Sequence, residues 1–188
     1  MTINGPAITR LVLLGLLASI LQLTAASQVS IFGVPMDLSP LIVASVGFLA
    51  GSVPGAVFGF CFGLFADTAL MQTLGVTSLV LTVIGYGAGR VRELRDPAHG
   101  LAPVAVGAAG TAIAAIGITL LQFLLGVEAP VSAQVVRAIL MTIVINTLLA
   151  LPVYALCRRV LLPFLPDDPR RRRRRAYTTG GLSPLSRA

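Results

Sequence analysis

Residues 51–67 read GSVPGAVFGFCFGLFAD, a stretch in which glycine recurs at every fourth position and a carboxylate closes the series. Residues four apart lie on one face of an α-helix. Gly55, Gly59 and Gly63 would therefore form a groove without side chains, where a second helix can approach closely. Asp67 continues this face. Because a carboxylate at the centre of a membrane helix costs about 2.5–3.5 kcal/mol on insertion scales, we expect Asp67 to face protein rather than lipid.

The composition of the chain is that of an integral membrane protein. Of its 188 residues, 56% are hydrophobic and 11% are charged, and the mean hydropathy is +0.92. A water-soluble globular protein needs more polar surface than this. All 14 basic residues are Arg, and six of them form one run near the end of the chain. Most of the net charge of +7 therefore lies in the tail rather than in the rest of the chain.

Hydrophobic segments separated by charges, glycine and proline predict an all-α, polytopic membrane protein with about six transmembrane helices. The 33-residue stretch Leu38–Leu70 is short for two full crossings, and we place its break at Pro54. Arginines at both ends of the chain and after Gly89 place the N and C termini in the cytoplasm. The predicted segments are Leu11–Ala26, Leu38–Gly51, Gly55–Leu70, Val76–Gly89, Ala102–Gly126 and Gln134–Leu156.

Two alternatives remain for this topology. Residues 38–70 could form a re-entrant pair, which gives a four-span body with the same orientation. The first segment could instead be a cleavable signal peptide, since small residues at Thr24–Ser27 suit a signal peptidase.

A second row of small residues follows the first. Gly75, Gly85 and Gly89, with Ser78 and Thr82 between them, alternate by three and four positions. We expect this face to pack against the face of Gly55, Gly59 and Gly63.

The predicted spans contain one acid, Asp67, one arginine, Arg137, and one asparagine, Asn146. Asn146 predicts an interhelical hydrogen bond. Arg137 is the one arginine on the outer side of this topology, and we predict that it pairs with Asp67 at similar depth. Two other roles are open for Asp67, which could cap the turn at Gln72–Gly75 or belong to a proton or ion pathway.

The chain divides into a membrane domain, residues 1–165, and a disordered basic cytoplasmic tail, residues 166–188, which follows several prolines. The tail is predicted to bind anionic lipid through Arg170, Arg171, Arg172, Arg173, Arg174 and Arg175. The alternative to lipid binding is that the arginine run binds a specific protein or a nucleic acid. No aromatic residue interleaves with the arginines, so we expect no nucleic-acid partner.

No catalytic, cofactor or metal motif accompanies these features, and we therefore expect that the protein is not an enzyme. The single His99 is distant in sequence from Cys61 and Cys157, and no nucleophile elbow or phosphate loop is present.

The motifs between Pro35 and Arg92 resemble the core of the bacterial rod shape-determining protein MreD family. The likeness is carried by PMDL at 35–38, GFCFGLFAD at 59–67, LG at 74–75 and GYGAGR at 85–90. Two features depart from the family pattern: the sequence TALMQT at 68–73 and the polyarginine tail.

This resemblance implies a non-enzymatic scaffold of the cell-elongation (rod) complex in the bacterial inner membrane, which controls cell shape and peptidoglycan synthesis. The implied partners are membrane lipids, MreC, MreB and the pair formed by RodA and a class B penicillin-binding protein. Family members are also similar in fold to the S components of energy-coupling-factor transporters. The alternative function is therefore that of a vitamin-binding S component.

Overall fold

The structure is a computed structural model that describes residues 5–22, 30–31, 34–35, 37–94, 102–126 and 133–161. These residues form six α-helices and one antiparallel ladder of two-residue strands, so the predicted all-helical class is confirmed apart from that ladder. The elements are α1 Gly5–Leu21, β1 Ser30–Ile31, β2 Val34–Pro35, α2 Ser39–Ala50, α3 Ser52–Ala69, α4 Val76–Leu94, α5 Ala102–Leu124 and α6 Ala133–Leu161.

Among the described residues, three helices are long and apolar enough to cross a membrane: α3, α5 and α6. In contrast, α2 has 12 residues. At 1.5 Å per residue it is about 18 Å long, well short of a hydrocarbon core of about 30 Å. Every residue of α2 is buried, and the helix packs on α3, α4, α5 and α6. It is therefore the central helix of the bundle, surrounded by protein.

The break between α2 and α3 lies at Gly51, so its predicted position at Pro54 is wrong. Gly51 has a φ of +108°, a conformation that side-chain-bearing residues rarely adopt. Pro54 is the third residue of α3, within the first turn, where its missing N–H has no helical acceptor to lose. Gly51 therefore adopts the turn conformation between the two helices, and Pro54 lies in the first turn of α3.

Two helices run further than their hydrophobic segments. The fourth helix continues past Gly89 to Leu94, and the sixth continues past Leu156 to Leu161 with Pro152 inside it. Charged side chains can extend from a helix end toward water, so the arginines in these last turns do not stop the helical hydrogen bonding. Hydropathy therefore marked the apolar part of each helix rather than its end.

The two rows of small residues meet in the interface between antiparallel α3 and α4. A Cβ placed on Gly55 would lie 2.5 Å from the carbonyl oxygen of Gly85, which is closer than real Cβ atoms approach. The same is true of Gly59 against the backbone of Leu81 and of Gly63 against the backbone of Ser78. Backbone touches backbone along most of α3, because no side chain intervenes.

Gly47 adds the central helix to this contact. A Cβ on Gly55 would lie 2.5 Å from the Cα of Gly47, and a Cβ on Gly47 would collide with the carbonyl of Gly85. Gly47, Gly55 and Gly85 thus bring α2, α3 and α4 together at one point. Gly47 lies outside the two rows of small residues predicted from the sequence.

The remaining two glycines of the second row behave differently from each other. A Cβ on Gly89 would overlap the backbone of Gly51 and Ser52 at the start of α3. Gly75, predicted as a packing glycine, has nothing within 4 Å of a built Cβ and has a φ of +94°. It is a turn glycine before α4, so its predicted packing role is wrong.

The packing predicts that Gly85→Ala destabilises the protein, because the new methyl group would meet the backbone of Gly55. Gly87→Ala is the matched control, since a Cβ at Gly87 meets nothing within 4 Å and alanine is the better helix former by about 1 kcal/mol. Thermal unfolding in detergent should show a lower midpoint for Gly85→Ala and an unchanged or raised midpoint for Gly87→Ala. Equal behaviour of the two variants would contradict the backbone contact.

Candidate functional site

The helix break at Gly51 is held by two adjacent charged residues at the end of α4. The carboxylate of Glu93 accepts hydrogen bonds from the backbone N–H and the hydroxyl of Ser52, at 3.1 and 2.7 Å. The guanidinium of Arg92 donates to the carbonyl oxygen of Leu49 in the last turn of α2. An acid thus caps the start of one helix and a base caps the end of another, each complementing the helix dipole.

The electrostatics of Glu93 follow from these contacts. The hydroxyl and the backbone N–H of Ser52 lower the pKa of Glu93 below its usual value of 4.5, and Arg90 lowers it further. Arg90 forms an ion pair with Glu93 at 3.3 Å, and it also lies 5.9 Å from the ring centre of Tyr86. Glu93 is therefore anionic near neutral pH, as a cap for the first N–H groups of α3 requires.

A second polar cluster joins four segments near the middle of α6. Asn146, which is 1% exposed, donates to the backbone carbonyl of Asp37 at 2.7 Å and to the hydroxyl of Thr111 at 3.3 Å. The Asp37 carboxylate accepts from the side chain of Gln22, at 3.1 Å, and from the N–H of Ser39, at 3.0 Å. These bonds tie the end of α1, the start of α2, α5 and α6. The predicted interhelical bond of Asn146 is present, with a second bond beside it.

Asp67 caps the turn between α3 and α4, which was one of the roles left open for it. The carboxylate is fully buried, and its Oδ2 accepts the N–H of Gly75 at 2.8 Å, directly before α4. The backbone carbonyl of Asp67 accepts the N–H of Gln72 at 2.9 Å. The other carboxylate oxygen, Oδ1, has no hydrogen-bond partner in the described part of the chain. The side chain lies at the N-terminal end of α4, where backbone N–H groups without helical partners need an acceptor.

The predicted pair of Asp67 and Arg137 is absent, so that prediction is wrong. Within the described ranges the only ion pair joins Arg90 and Glu93. Arg137 is exposed near the start of α6, and α6 packs mainly on α2 and α5. Similar depth in a membrane does not place two residues on neighbouring helices. The Arg170–Arg175 run and His99 lie outside the described residues.

An apolar groove of about 760 Å³ runs between α1 and α3 and ends at the helix break. Its walls are mainly Val, Leu and Phe side chains, and its polar lining groups are the side chains of Ser19, Ser52 and Glu93. Each of these three groups already forms a hydrogen bond within the protein. No group of three His, Cys, Asp or Glu side chains that could hold a metal ion occurs in the described ranges.

Several of these residues escaped the sequence analysis although local signals pointed to them. Asp37 precedes Ser39-Pro40, the kind of acid-then-proline signal that opens a helix. The neighbours Arg92 and Glu93 have opposite signs, as the caps of two opposed helix ends require. Their partners could not be read from the sequence, because Ser52 lies 41 positions from Glu93.

These features define the class of the protein: an α-helical membrane protein with a glycine-packed core and polar groups that cap and join its helices. A family model described as rod shape-determining protein MreD matches residues 6–160. The chain therefore belongs to the MreD family of membrane proteins that determine rod shape, and the resemblance noted in its sequence is confirmed. Comparisons with curated proteins and with solved structures found no match.

The Glu93 cap predicts a pH-dependent contribution to stability. Because the pKa of Glu93 is lowered in the folded protein, its contribution is present above pH 4.5 and is lost as the pH falls through the folded pKa. Glu93→Gln should lower the unfolding midpoint in detergent at pH 7, and this difference from wild type should shrink on acidification below pH 4.5. Arg90→Gln is the control and should keep most of the pH dependence, because Ser52 is the larger cause. A difference between wild type and Glu93→Gln that is constant with pH would contradict the cap.

The position of Asp67 predicts unequal effects for Asp67→Ala and Arg137→Gln. Loss of a helix cap costs about 0.5–2 kcal/mol, and we expect Asp67→Ala to fall in this range. Arg137→Gln should change the free energy of unfolding by less than about 0.5 kcal/mol, because the side chain is exposed and forms no ion pair with a described residue. Denaturant titration in detergent measures both. Equal losses of unfolding free energy in the two variants, or rescue of Asp67→Arg by Arg137→Asp, would indicate that Asp67 and Arg137 do form an ion pair.

Proposed function

We propose that this protein is a non-enzymatic scaffold subunit of the cell-elongation complex in the bacterial inner membrane. In this role it would associate with MreC, MreB and the pair of RodA and a class B penicillin-binding protein, and so support peptidoglycan synthesis. The observation that carries the proposal is the family match over residues 6–160, which spans all six helices. A scaffold needs stable surfaces on a fixed helix arrangement, and the capped, backbone-to-backbone core supports that requirement.

The proposed orientation places the Gly51 end of the bundle in the cytoplasm. We define the Gly51 end as the end where α2, α4 and α6 finish and α3 begins. Arg90 and Arg92 lie there on α4, and Arg158 and Arg159 lie there on α6. Arginine is enriched on the cytoplasmic side of membrane proteins, so this end faces inward. The proposal includes both termini in the cytoplasm and six membrane segments, with α2 as a short one.

The division into a membrane domain, 1–165, and a basic tail, 166–188, is part of the same proposal. In the cytoplasm, the tail would meet the anionic surface of the inner leaflet, which attracts basic segments with about 1 kcal/mol per Arg.

A transporter S component is the second candidate, and the groove between α1 and α3 is the observation in its favour. Its volume of about 760 Å³ lies within the range of small-molecule sites. A vitamin needs several polar groups to orient it, however, and the three polar side chains of this groove are already hydrogen-bonded within the protein. We therefore favour the scaffold.

Purification of the tagged protein from its own membranes in mild detergent distinguishes the two functions. We expect MreC, RodA and the class B penicillin-binding protein to be recovered with it. They should not be recovered with a tagged multi-span protein of the same membrane that serves another process. Recovery with a pair of ABC-type ATPases and a tightly bound small molecule would refute the scaffold function and support the S component.

A further inference from the structure

Side chains from two helices converge on the end of the central helix. The ring of Tyr154 on α6 packs edge-on against Phe48, with ring centres 6.0 Å apart, and Arg92 on α4 donates to the carbonyl of the next residue, Leu49. Arg158 follows Tyr154 by one helical turn, so the two residues lie on the same face of α6. We name Arg92, Tyr154 and Arg158 the Tyr154 corner.

Among the described residues of the Gly51 end, arginines outnumber acids. Its described helix ends hold four arginines, at 90, 92, 158 and 159, and one acid, Glu93. Within the described ranges, Glu93 forms an ion pair with Arg90. The C-termini of α2, α4 and α6 contribute about −0.5 charge each at this end, and the N-terminus of α3 contributes about +0.5, or about −1 together. This is less than the charges of the three remaining guanidinium groups, so the described residues around the Tyr154 corner carry a positive excess.

We propose that the Tyr154 corner binds the phosphate headgroup of an anionic membrane lipid. A guanidinium group matches a phosphate with two parallel hydrogen bonds, and a tyrosine hydroxyl can donate a third. Arginines between helices at a membrane surface are the type of site that holds phosphate-bearing headgroups. The corner combines these groups on a rigid base, because Tyr154 packs on Phe48 and Arg92 is anchored to α2.

A free phosphate ion offers the same chemistry, but the apolar surface beside the corner favours a lipid. Leu151 and Leu156 on α6 and Val91 on α4 are exposed, and they can contact acyl chains while the headgroup lies on the arginines. The site is distinct from the Arg170–Arg175 run and does not depend on the partners named under the proposed function. If the purification does not recover the elongation partners, that result does not count against this lipid site.

The experiment measures binding of phosphatidylglycerol to the full-length protein in detergent by native mass spectrometry, with phosphatidylcholine and inorganic phosphate as comparison ligands. Arg159→Gln is the control, because it removes the same charge one residue away and keeps the tail intact. One Arg near an anionic surface is worth about fivefold in affinity, and this control should lose that amount at most.

Two variants test the site itself. Arg158→Gln should lower the affinity for phosphatidylglycerol by a further factor of about ten relative to the control, because it removes charge-assisted hydrogen bonds. Tyr154→Phe changes no charge and keeps the ring on Phe48, and it should still lower the affinity by about threefold. Neither variant should affect phosphatidylcholine binding.

Two outcomes would overturn the proposal. The first is that Arg158→Gln binds phosphatidylglycerol with the same affinity as Arg159→Gln, and Tyr154→Phe with the same affinity as wild type. The lipid would then be attracted only by the general charge of the surface. If inorganic phosphate displaces phosphatidylglycerol at equal concentration, the ligand is free phosphate rather than a lipid. Arg92 is left unchanged in these tests because it caps α2, and its loss would alter the fold as well as the site.

Discussion

The close approach of α3 and α4 is the contact on which the rest of the structure depends. Gly55, Gly59 and Gly63 place their backbone directly against Gly85, Leu81 and Ser78. Within lipid, apolar burial gives helices little reason to associate, so van der Waals contact between smooth surfaces becomes the main attraction. With Gly47 in the same contact, the short central helix is fixed against both partners. The other helices pack around this group.

Close packing of this kind leaves helix ends inside the protein, and their unpaired backbone groups need partners. The polar residues of the chain serve this need: Glu93 caps the start of α3, Arg92 caps the end of α2, and Asp67 binds the N–H that precedes α4. Asp37 does the same for the start of α2. These polar groups therefore hold the helix arrangement of the bundle together.

The charges also give the bundle two unlike ends. At the Gly51 end, the C-termini of three helices meet several arginines, and Tyr154 lies among them. At the opposite end of α3, a single buried carboxylate holds the turn to α4. Packing and charge asymmetry thus depend on different residue types, glycine for the first and arginine for the second.

The membrane class, the helical segments, the two glycine faces and the family follow from the residues alone, because hydropathy and four-residue spacing are local properties that a helix expresses directly. In contrast, the break at Gly51 rather than Pro54, the turn conformation of Gly75 and the bond of Asp67 to Gly75 rather than Arg137 depend on how the helices pack. A polar side chain bonds to whichever partner the packing of the helices brings to it. Glu93 and Ser52 are 41 residues apart, and Asn146 and Asp37 are 109 apart, so no local pattern specifies either pair.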